Sequence, residues 1–328
     1  MSVGPLVVTL NMSGRTREIV ADGLGPTHRI VYLTDVPAAE REAVLRGAGA
    51  LLSNDIGAEL SAEERQAIGG ARLLQFTAAG IDWVPIAELP PGLPVAGNGG
   101  ASAEPMAEHV VAMAMACAKR LFIEHDNLKR GEFNQRTPNK MLRGGVCGIL
   151  GFGGVGAATA RLMRGLGMAV HAINRSGRSD EKLDWIGTPD RLDEMLKAAD
   201  VFVVCVALTR HTIGMIGARE LGLMKDDAIL VNVARGEIVD EDALYAHLVA
   251  HPRFFAGIDA WWVEPVRHHR FDMSHDFLSL PNVIGSPHNS AGGGVWRDVS
   301  LRRAVANCRR ALDGEPILHL ARDEERMM

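Results

Sequence analysis

The stretch from Gly144 to Ser179, GGVCGILGFGGVGAATARLMRGLGMAVHAINRSGRS, constrains this chain more than any other. A short apolar run, Val146-Cys147-Gly148-Ile149-Leu150, leads at once into Gly151-Phe152-Gly153-Gly154-Val155-Gly156, the spacing G-x-G-x-x-G. Each glycine then has its own physical role. Gly151 permits a tight turn, Gly153 lets backbone approach a pyrophosphate, and Gly156 lets a helix pack on the strand. A helix beginning near Val155 aims its unpaired N–H groups and positive dipole end at that phosphate. The spacing also occurs in empty turns, but its surroundings favour the functional reading. Ala158, Leu162, Met163 and Leu166 recur at helical spacing, Gly165 and Gly167 end the helix, and Met168 to Ile173 form a second apolar strand.

At the end of that second strand an NAD site places Asp or Glu against the ribose 2′-hydroxyl, whereas arginine accommodates a 2′-phosphate. Here stand Asn174, Arg175, Ser176 and Arg178. No carboxylate is there to repel a phosphate, and two guanidiniums, a hydroxyl and an amide can donate to it. The plainer reading is a solvated basic turn. The expected cofactor is NADP(H), with NAD(H) as the second choice.

A chain of 328 residues is long for one core and suits two domains. With 47% hydrophobic and 23% charged residues it reads as an ordinary soluble globular protein. A net charge of −5 speaks against a nucleic-acid partner, which calls for a basic patch. Arg302, Arg303, Arg309 and Arg310 do cluster, but at the spacing of a solvated helix face. Cys117, Cys147, Cys205 and Cys308 lie far apart without a C-x-x-C pair, two of them in apolar strands, which fits buried thiols in a reducing cytosol. No apolar run approaches the roughly 18 residues of a membrane span, and no basic leader with a cleavage site opens the chain. No membrane partner is expected, and the expected location is the cytoplasm.

The first hundred or so residues alternate strand and helix. Leu6–Leu10, Arg29–Leu33, Ala50–Ser53 and Leu73–Thr77 read as strands, Ala38–Arg46 as a helix, and Ser61-Ala62-Glu63-Glu64 as the capped start of another. Such alternation implies a parallel sheet covered by helices. Its last strand runs into Thr77-Ala78-Ala79-Gly80, small residues that either open backbone N–H groups to an anion or simply make a turn. Asn98-Gly99-Gly100 is flexible and marks the crossing into a second domain. Glu104 to Arg120 then reads as a buried helix, apolar nearly all round, in which Glu108 and His109 are polar packing. Lys129 to Leu142 is polar and irregular.

Past the glycine turn the alternation resumes, and chemistry-bearing residues fall at successive carboxyl strand ends. The strand Val201–Val206 carries Cys205 and Val206 to the cofactor's side of the sheet. Ala228–Val233 delivers Arg235, Phe254–Ile258 delivers Asp259 with Glu264 five residues on, and Val283–Ser286 delivers His288. A histidine paired with a carboxylate is an oriented proton donor, an arginine grips a carboxylate in bidentate fashion, and a nicotinamide supplies hydride. Each residue alone is more often structural; the set together is not.

The motifs GILGFGGVG (Gly148 to Gly156), VNVARGEIVDEDAL (Val231 to Leu244), AGIDAWWVEP (Ala256 to Pro265) and SPHNSAGG (Ser286 to Gly293) resemble the D-2-hydroxyacid dehydrogenases over essentially the whole chain. The resemblance implies two doubly wound α/β domains, a flavodoxin-like substrate domain (1–98 plus 291–328) and a Rossmann cofactor domain (99–290), with the site in the cleft between them. It implies that Arg235 binds the carboxylate and carbonyl of a small 2-keto acid such as glyoxylate or hydroxypyruvate. His288 protonates the carbonyl oxygen as hydride arrives, Glu264 stabilises the imidazolium, and the backbone of Ala79 and Gly80 holds the substrate carboxylate. Asp259 contacts the nicotinamide carboxamide. Gly151, Gly153, Gly154, Val155, Gly156, Val206 and Val233 line the cofactor, with Asn174, Arg175 and Ser176 at its ribose. The resemblance also implies a homodimer.

The chain departs from the family pattern in places. Trp261-Trp262-Val263 stand where acidic and proline residues are frequent, so the indoles make either a bulkier wall or a dimer contact. Cys205 and Ala207 replace a frequent histidine and proline, which alters the adenine side only. His268, His269 and His275 form a histidine-rich loop with irregular spacing and no thiolate nearby, so no metal is expected. The chain stops shortly after a helix ending near Leu312, so a regulatory domain of the phosphoglycerate-dehydrogenase kind is not expected. The alternative function is a nucleotide-sensing binding protein like the C-terminal-binding transcriptional corepressors, which share the Arg, Glu, His set but carry a long disordered tail.

Overall fold

The computed structural model describes residues 3–322. The elements run β1 (Leu6–Val8), α1 (Gly14–Leu24), β2 (Ile30–Tyr32), α2 (Ala38–Arg46), β3 (Ala50–Ser53), α3 (Ile56–Glu59), α4 (Ala62–Ala67), β4 (Leu74–Phe76) and β5 (Val95–Ala96). Then follow α5 (Ala103–Ala118), α6 (Leu121–Lys129), β6 (Val146–Leu150), α7 (Gly154–Gly165), β7 (Ala169–Ile173), β8 (Trp185–Gly187), α8 (Leu192–Ala198) and β9 (Val201–Val204). The chain continues through α9 (Ala218–Leu221), β10 (Ile229–Asn232), α10 (Glu241–Ala250), β11 (Phe255–Ile258), α11 (Pro265–His268), β12 (Val283–Gly285) and α12 (Gly294–Asp313).

Two compact units result, Met1–Ser102 with Gly293–Met328, and Ala103–Gly292. The sequence put the crossings at 98/99 and 290/291. The first crossing falls later because Asn98 is tied into its own unit, its Nδ2 donating to the carbonyls of Thr77 (3.1 Å) and Ser300 (2.9 Å). Residues 323–328 of the expected substrate domain lie outside the described residues.

In the smaller unit β1 to β5 form a parallel sheet in the order β2-β1-β3-β4-β5. Alternate side chains divide between two cores: Val7, Leu51, Leu74 and Phe76 to one face, Leu6, Val8, Leu52 and Leu73 to the other. The second core is closed by Leu301, Val305, Cys308 and Leu312 of α12, while Arg302, Arg303 and Arg309 of that helix face water. Asn307 reaches from α12 to the buried Gln75 (2.6 Å), so the helix returns to this sheet through a polar pin as well as apolar contact. The capped start read from Ser61 is present: Ser61 Oγ accepts from Glu64 N–H and the Glu64 carboxylate accepts from Ser61 N–H.

The larger unit is a seven-stranded parallel sheet, β12-β11-β10-β9-β6-β7-β8, with its order reversing between β9 and β6. Phe202, Val204, Leu230, Ala256 and Ile258 feed one core and Val201, Val203, Ile229, Val231 and Val233 the other. Leu150, Val204, Asn232, Ile258 and Gly285 form one rung across five strands. The residues that follow each of them therefore emerge along a single edge.

Two elements escaped the sequence pattern. The helix expected over 104–120 ends at Ala118, Arg120 turns left-handed (φ 52°), and α6 follows where the pattern assigned no element. β8 is a three-residue edge strand, too short for an alternation to register, and it forms because His171 to Ile173 of β7 offer it a free ladder edge. Cys205 lies just past β9, its thiol donating to the Gly151 carbonyl.

Close packing around the glycine turn gives a paired expectation. A Cβ on Gly156 would sit 2.4 Å from the Gly151 carbonyl oxygen, whereas one on Gly165 would meet nothing within 4 Å. Gly156→Ala is expected to destabilise by about 1–3 kcal/mol and Gly165→Ala to stabilise by about 0.4–1 kcal/mol, read by urea denaturation. Equal effects of the two substitutions would contradict the packing argument.

Candidate active site

The glycine turn between β6 and α7 is shaped by close approach. Gly151 is left-handed (φ 95°), and a Cβ on it would come within 2.6 Å of Val206 Cα. Gly153 and Gly154 are exposed, with nothing within 4 Å of where a Cβ on Gly153 would stand. The α7 N-terminus at Gly153 has no side-chain cap and no acidic residue in its first turn. An open backbone cradle at an uncapped helix start fits a pyrophosphate, so Gly151, Gly153, Gly154, Val155 and Gly156 are the residues to hold one.

The loop after β7 differs in part from expectation. Asn174 Oδ1 accepts from the N–H groups of Ser176 (3.1 Å) and Gly177 (2.7 Å), and its Nδ2 donates to the Arg178 carbonyl (2.8 Å). Asn174 thus uses its amide to build the loop, folded back onto backbone rather than extended toward a ligand. Arg175, Ser176 and Arg178 are exposed on it. The Val233 side chain is buried in the sheet core, so backbone is what that strand end presents. Ala79 and Gly80 lie beyond the carboxyl end of β4 in the smaller unit.

Arg235 follows β10 on a turn made by Asn232, which accepts from Ala234 N–H (3.0 Å) and donates to the Arg235 carbonyl (2.9 Å). One guanidinium nitrogen of Arg235 donates to the Ala234 carbonyl (2.7 Å), which pins the side chain's direction.

His288 Nδ1 donates to both oxygens of Glu264, at 2.7 and 2.9 Å. Because an ionised carboxylate only accepts, the ring proton sits on Nδ1 and Nε2 is left for chemistry. Glu264 Oε1 also accepts the Trp261 N–H (2.7 Å). Burial pushes the Glu264 carboxyl up, but the His288 hydrogen bond and charge, the Trp261 N–H and the Arg235 charge together hold it below the ordinary glutamate range. Arg235 and His288 thus both act electrostatically on the Glu264 carboxylate.

Asp259 departs from the carboxamide contact that the resemblance implies. Its side chain has no exposed surface. Its oxygens accept from Ser286 Oγ (2.5 Å) and the N–H groups of Asn289 (3.1 Å) and Ser290 (3.3 Å), and its carbonyl accepts the His288 N–H (2.9 Å). These bonds commit most of the carboxylate's accepting capacity to the loop that carries His288. Sequence reasoning missed this anchoring, and with it Asn232, Ser286 and His109, whose Nε2 lies 2.9 Å from Ser286 Oγ. Ser286 stood inside a quoted motif; nothing in the chain signalled a partnership with a residue 177 positions away.

Both tryptophans pack within their own unit. Trp261 is buried and its indole N–H donates to the Ser286 carbonyl (2.8 Å); Trp262 donates to the Val239 carbonyl (2.7 Å) and stacks on Phe277. In the histidine loop His268 Nδ1 accepts from the Glu264 N–H, and His275 pairs with Asp242 and stacks on Tyr245. Among the described residues no three His, Cys, Asp or Glu group to hold a metal, and no helix is long and apolar enough to cross a membrane.

Residues 111–290 match the family model described as D-isomer specific 2-hydroxyacid dehydrogenase, NAD binding domain. The chain is 32% identical over 202 residues to a hydroxypyruvate reductase of Thermotoga maritima, a match covering 61% of this chain and 64% of that one. It is 38% identical over 185 residues to a glyoxylate reductase of Thermococcus gammatolerans, covering 54% and 53%. The matches thus span about half to two thirds of these relatives' lengths. A solved D-isomer specific 2-hydroxyacid dehydrogenase family protein of Aeromonas salmonicida superimposes with a TM-score of 0.78 at 25% identity, over 98% of this chain and 99% of its own.

The lowered Glu264 carboxyl fixes the sign of a pH effect. A group whose pKa falls on folding contributes stability above its unfolded pKa, about 4.3, and loses that contribution as pH drops through the folded value. The stability gap between the natural chain and Glu264→Gln is expected to be widest near neutral pH and to narrow below about pH 4. Urea denaturation across that range checks it; a gap that widens on acidification contradicts the pairing.

Proposed function

Since the chain belongs to the D-isomer specific 2-hydroxyacid dehydrogenase family, we propose that it is a nicotinamide-dependent reductase of small 2-keto acids. The observation that carries this reading is the His288–Glu264 pair, 2.7 Å apart beside Arg235, at the sheet edge that also bears the glycine cradle.

Arg235 is the group to grip the carboxylate and carbonyl of a 2-keto acid, since a guanidinium matches planar oxygen pairs. His288, fixed at Nδ1, presents Nε2 to the carbonyl oxygen and gives its proton there during reduction. Glu264 stays ionised: it orients the ring and stabilises the imidazolium until the proton leaves. When bound, the nicotinamide supplies the hydride that reaches the same carbon. In the oxidative direction Nε2 takes the hydroxyl proton back. The backbone of Ala79 and Gly80 is the proposed second holder of the substrate carboxylate.

Glyoxylate and hydroxypyruvate are the first substrates to try, following the names of the two reductases similar to this chain. NADPH is the proposed donor, supported by the exposed Arg175, Ser176 and Arg178 and the lack of a carboxylate after β7. A homodimer in the cytoplasm completes the reading.

Two experiments test it. Purified protein is expected to oxidise NADPH faster than NADH with at least one of a panel of 2-keto acids, and His288→Ala to abolish turnover while nucleotide affinity stays. No turnover on any keto acid, with nucleotide still bound, would leave the binding-protein alternative standing instead. Arg175→Ala is expected to weaken NADPH by about 1.5–3 kcal/mol, roughly ten- to a hundredfold, with NADH little changed. Equal loss for both nucleotides removes the case for a phosphate contact.

A further inference from the structure

Behind the loop that carries His288 lies a polar chain that starts on a helix with no other part in the site. Asp259 is fully buried and Ser286 Oγ sits 2.5 Å from its Oδ1. An ionised carboxylate has no proton to give, so Ser286 must donate its single hydroxyl proton to it. The 2.9 Å contact between Ser286 Oγ and His109 Nε2 can then be made only by a proton on His109. The direction of the whole chain is thereby set: His109 Nε2–H to Ser286 Oγ–H to Asp259, with His109 Nε2 itself 3.7 Å from Asp259 Oδ1.

From Asp259 the chain passes to the loop's backbone. The two carboxylate oxygens take the N–H groups of Asn289 and Ser290, and the Asp259 carbonyl takes that of His288. These bonds hold a strained residue. His288 is left-handed (φ 48°) although it is not glycine, a conformation that persists only where its surroundings impose it. His109 interrupts an otherwise apolar face of α5, where Met106, Val110 and Met113 pack into the sheet core. Packing alone would be served by leucine; a side chain that donates to Ser286 is needed only if the loop must be tied down.

We infer that His109 is a positioning residue for the reaction: through Ser286 and Asp259 it fixes the backbone of His288 so that the ring meets Glu264 with Nε2 facing outward. Glu264 meets that ring directly, Arg235 acts on Glu264 through its charge, and Asp259 and His109 reach the ring through the loop's backbone. This inference rests on the reading of His288 as the proton donor.

The test uses the full chain with His109→Leu, His109→Gln and Ser286→Ala. Glutamine places an amide N–H near the position of Nε2; leucine does not. His109→Leu is expected to speed hydrogen exchange of the Asn289 and Ser290 amides about three- to tenfold at unchanged Tm, as loss of one hydrogen bond implies. Its kcat for 2-keto acid reduction is expected to fall about tenfold, the size of effect a small misplacement of a catalytic group produces, while KM for NADPH stays within about twofold. His109→Gln should recover most of both. Should the leucine variant fail to fold, Ser286→Ala must accelerate the same two amides. Unchanged exchange and kcat in His109→Leu, unchanged exchange in Ser286→Ala, or a glutamine variant no better than leucine would overturn the assignment. If the natural chain reduces no 2-keto acid at all, the functional reading fails, while the exchange measurements still decide whether the tether exists.

Discussion

A carboxylate with no exposed surface must be matched bond for bond, and Asp259 is matched by the loop that presents His288. Leaving such a charge unpaired would cost several kcal/mol, so the loop is held closed against it. That constraint propagates outward. With the backbone of residues 288–290 gathered around one aspartate, His288 adopts a left-handed conformation and its ring points at Glu264. Glu264 is in turn oriented by the Trp261 N–H, which leaves Nε2 as the free end of a relay whose other members are buried.

Trp261 serves this arrangement twice, since its backbone orients Glu264 and its indole N–H holds the Ser286 carbonyl. The large ring also explains Gly285, where a Cβ would lie 2.7 Å from the indole, so bulk at the end of β11 is accommodated by bare backbone on the neighbouring strand. Gly236 answers a different need, since a Cβ there would lie 2.4 Å from the Trp261 backbone. Between a bulky wall and a dimer contact, which the chain alone left open, the indoles sit inside their own unit.

The placing of Arg235, Glu264 and His288 at strand ends, and the glycine turn, were legible because each depends on local rules. A parallel strand followed by a short loop puts the next residues at the carboxyl edge, so Arg235, Glu264 and His288 could be placed by counting from apolar runs. What the chain did not show of Asn174 is that its side chain folds back onto the backbone of Ser176, Gly177 and Arg178. Asp259 was given to the cofactor, because nothing short of three-dimensional packing shows that both of its oxygens are occupied. Helix α6 and the edge strand β8 left no periodic trace, one having no buried residue to set a period and the other being too short to alternate.

By itself the sequence determined that this chain would alternate strand and helix, make one tight glycine turn at a helix start, and bring an arginine, a carboxylate and a histidine to neighbouring strand ends. Those are consequences of spacing, side-chain size and backbone freedom, all of which act within a few residues. Only the tertiary structure decided which polar groups meet behind that set: His109 with Ser286, and Ser286 with Asp259. Directional hydrogen bonds between residues far apart in the chain depend on fractions of an ångström, and that precision exists only once the sheet has closed around its two cores.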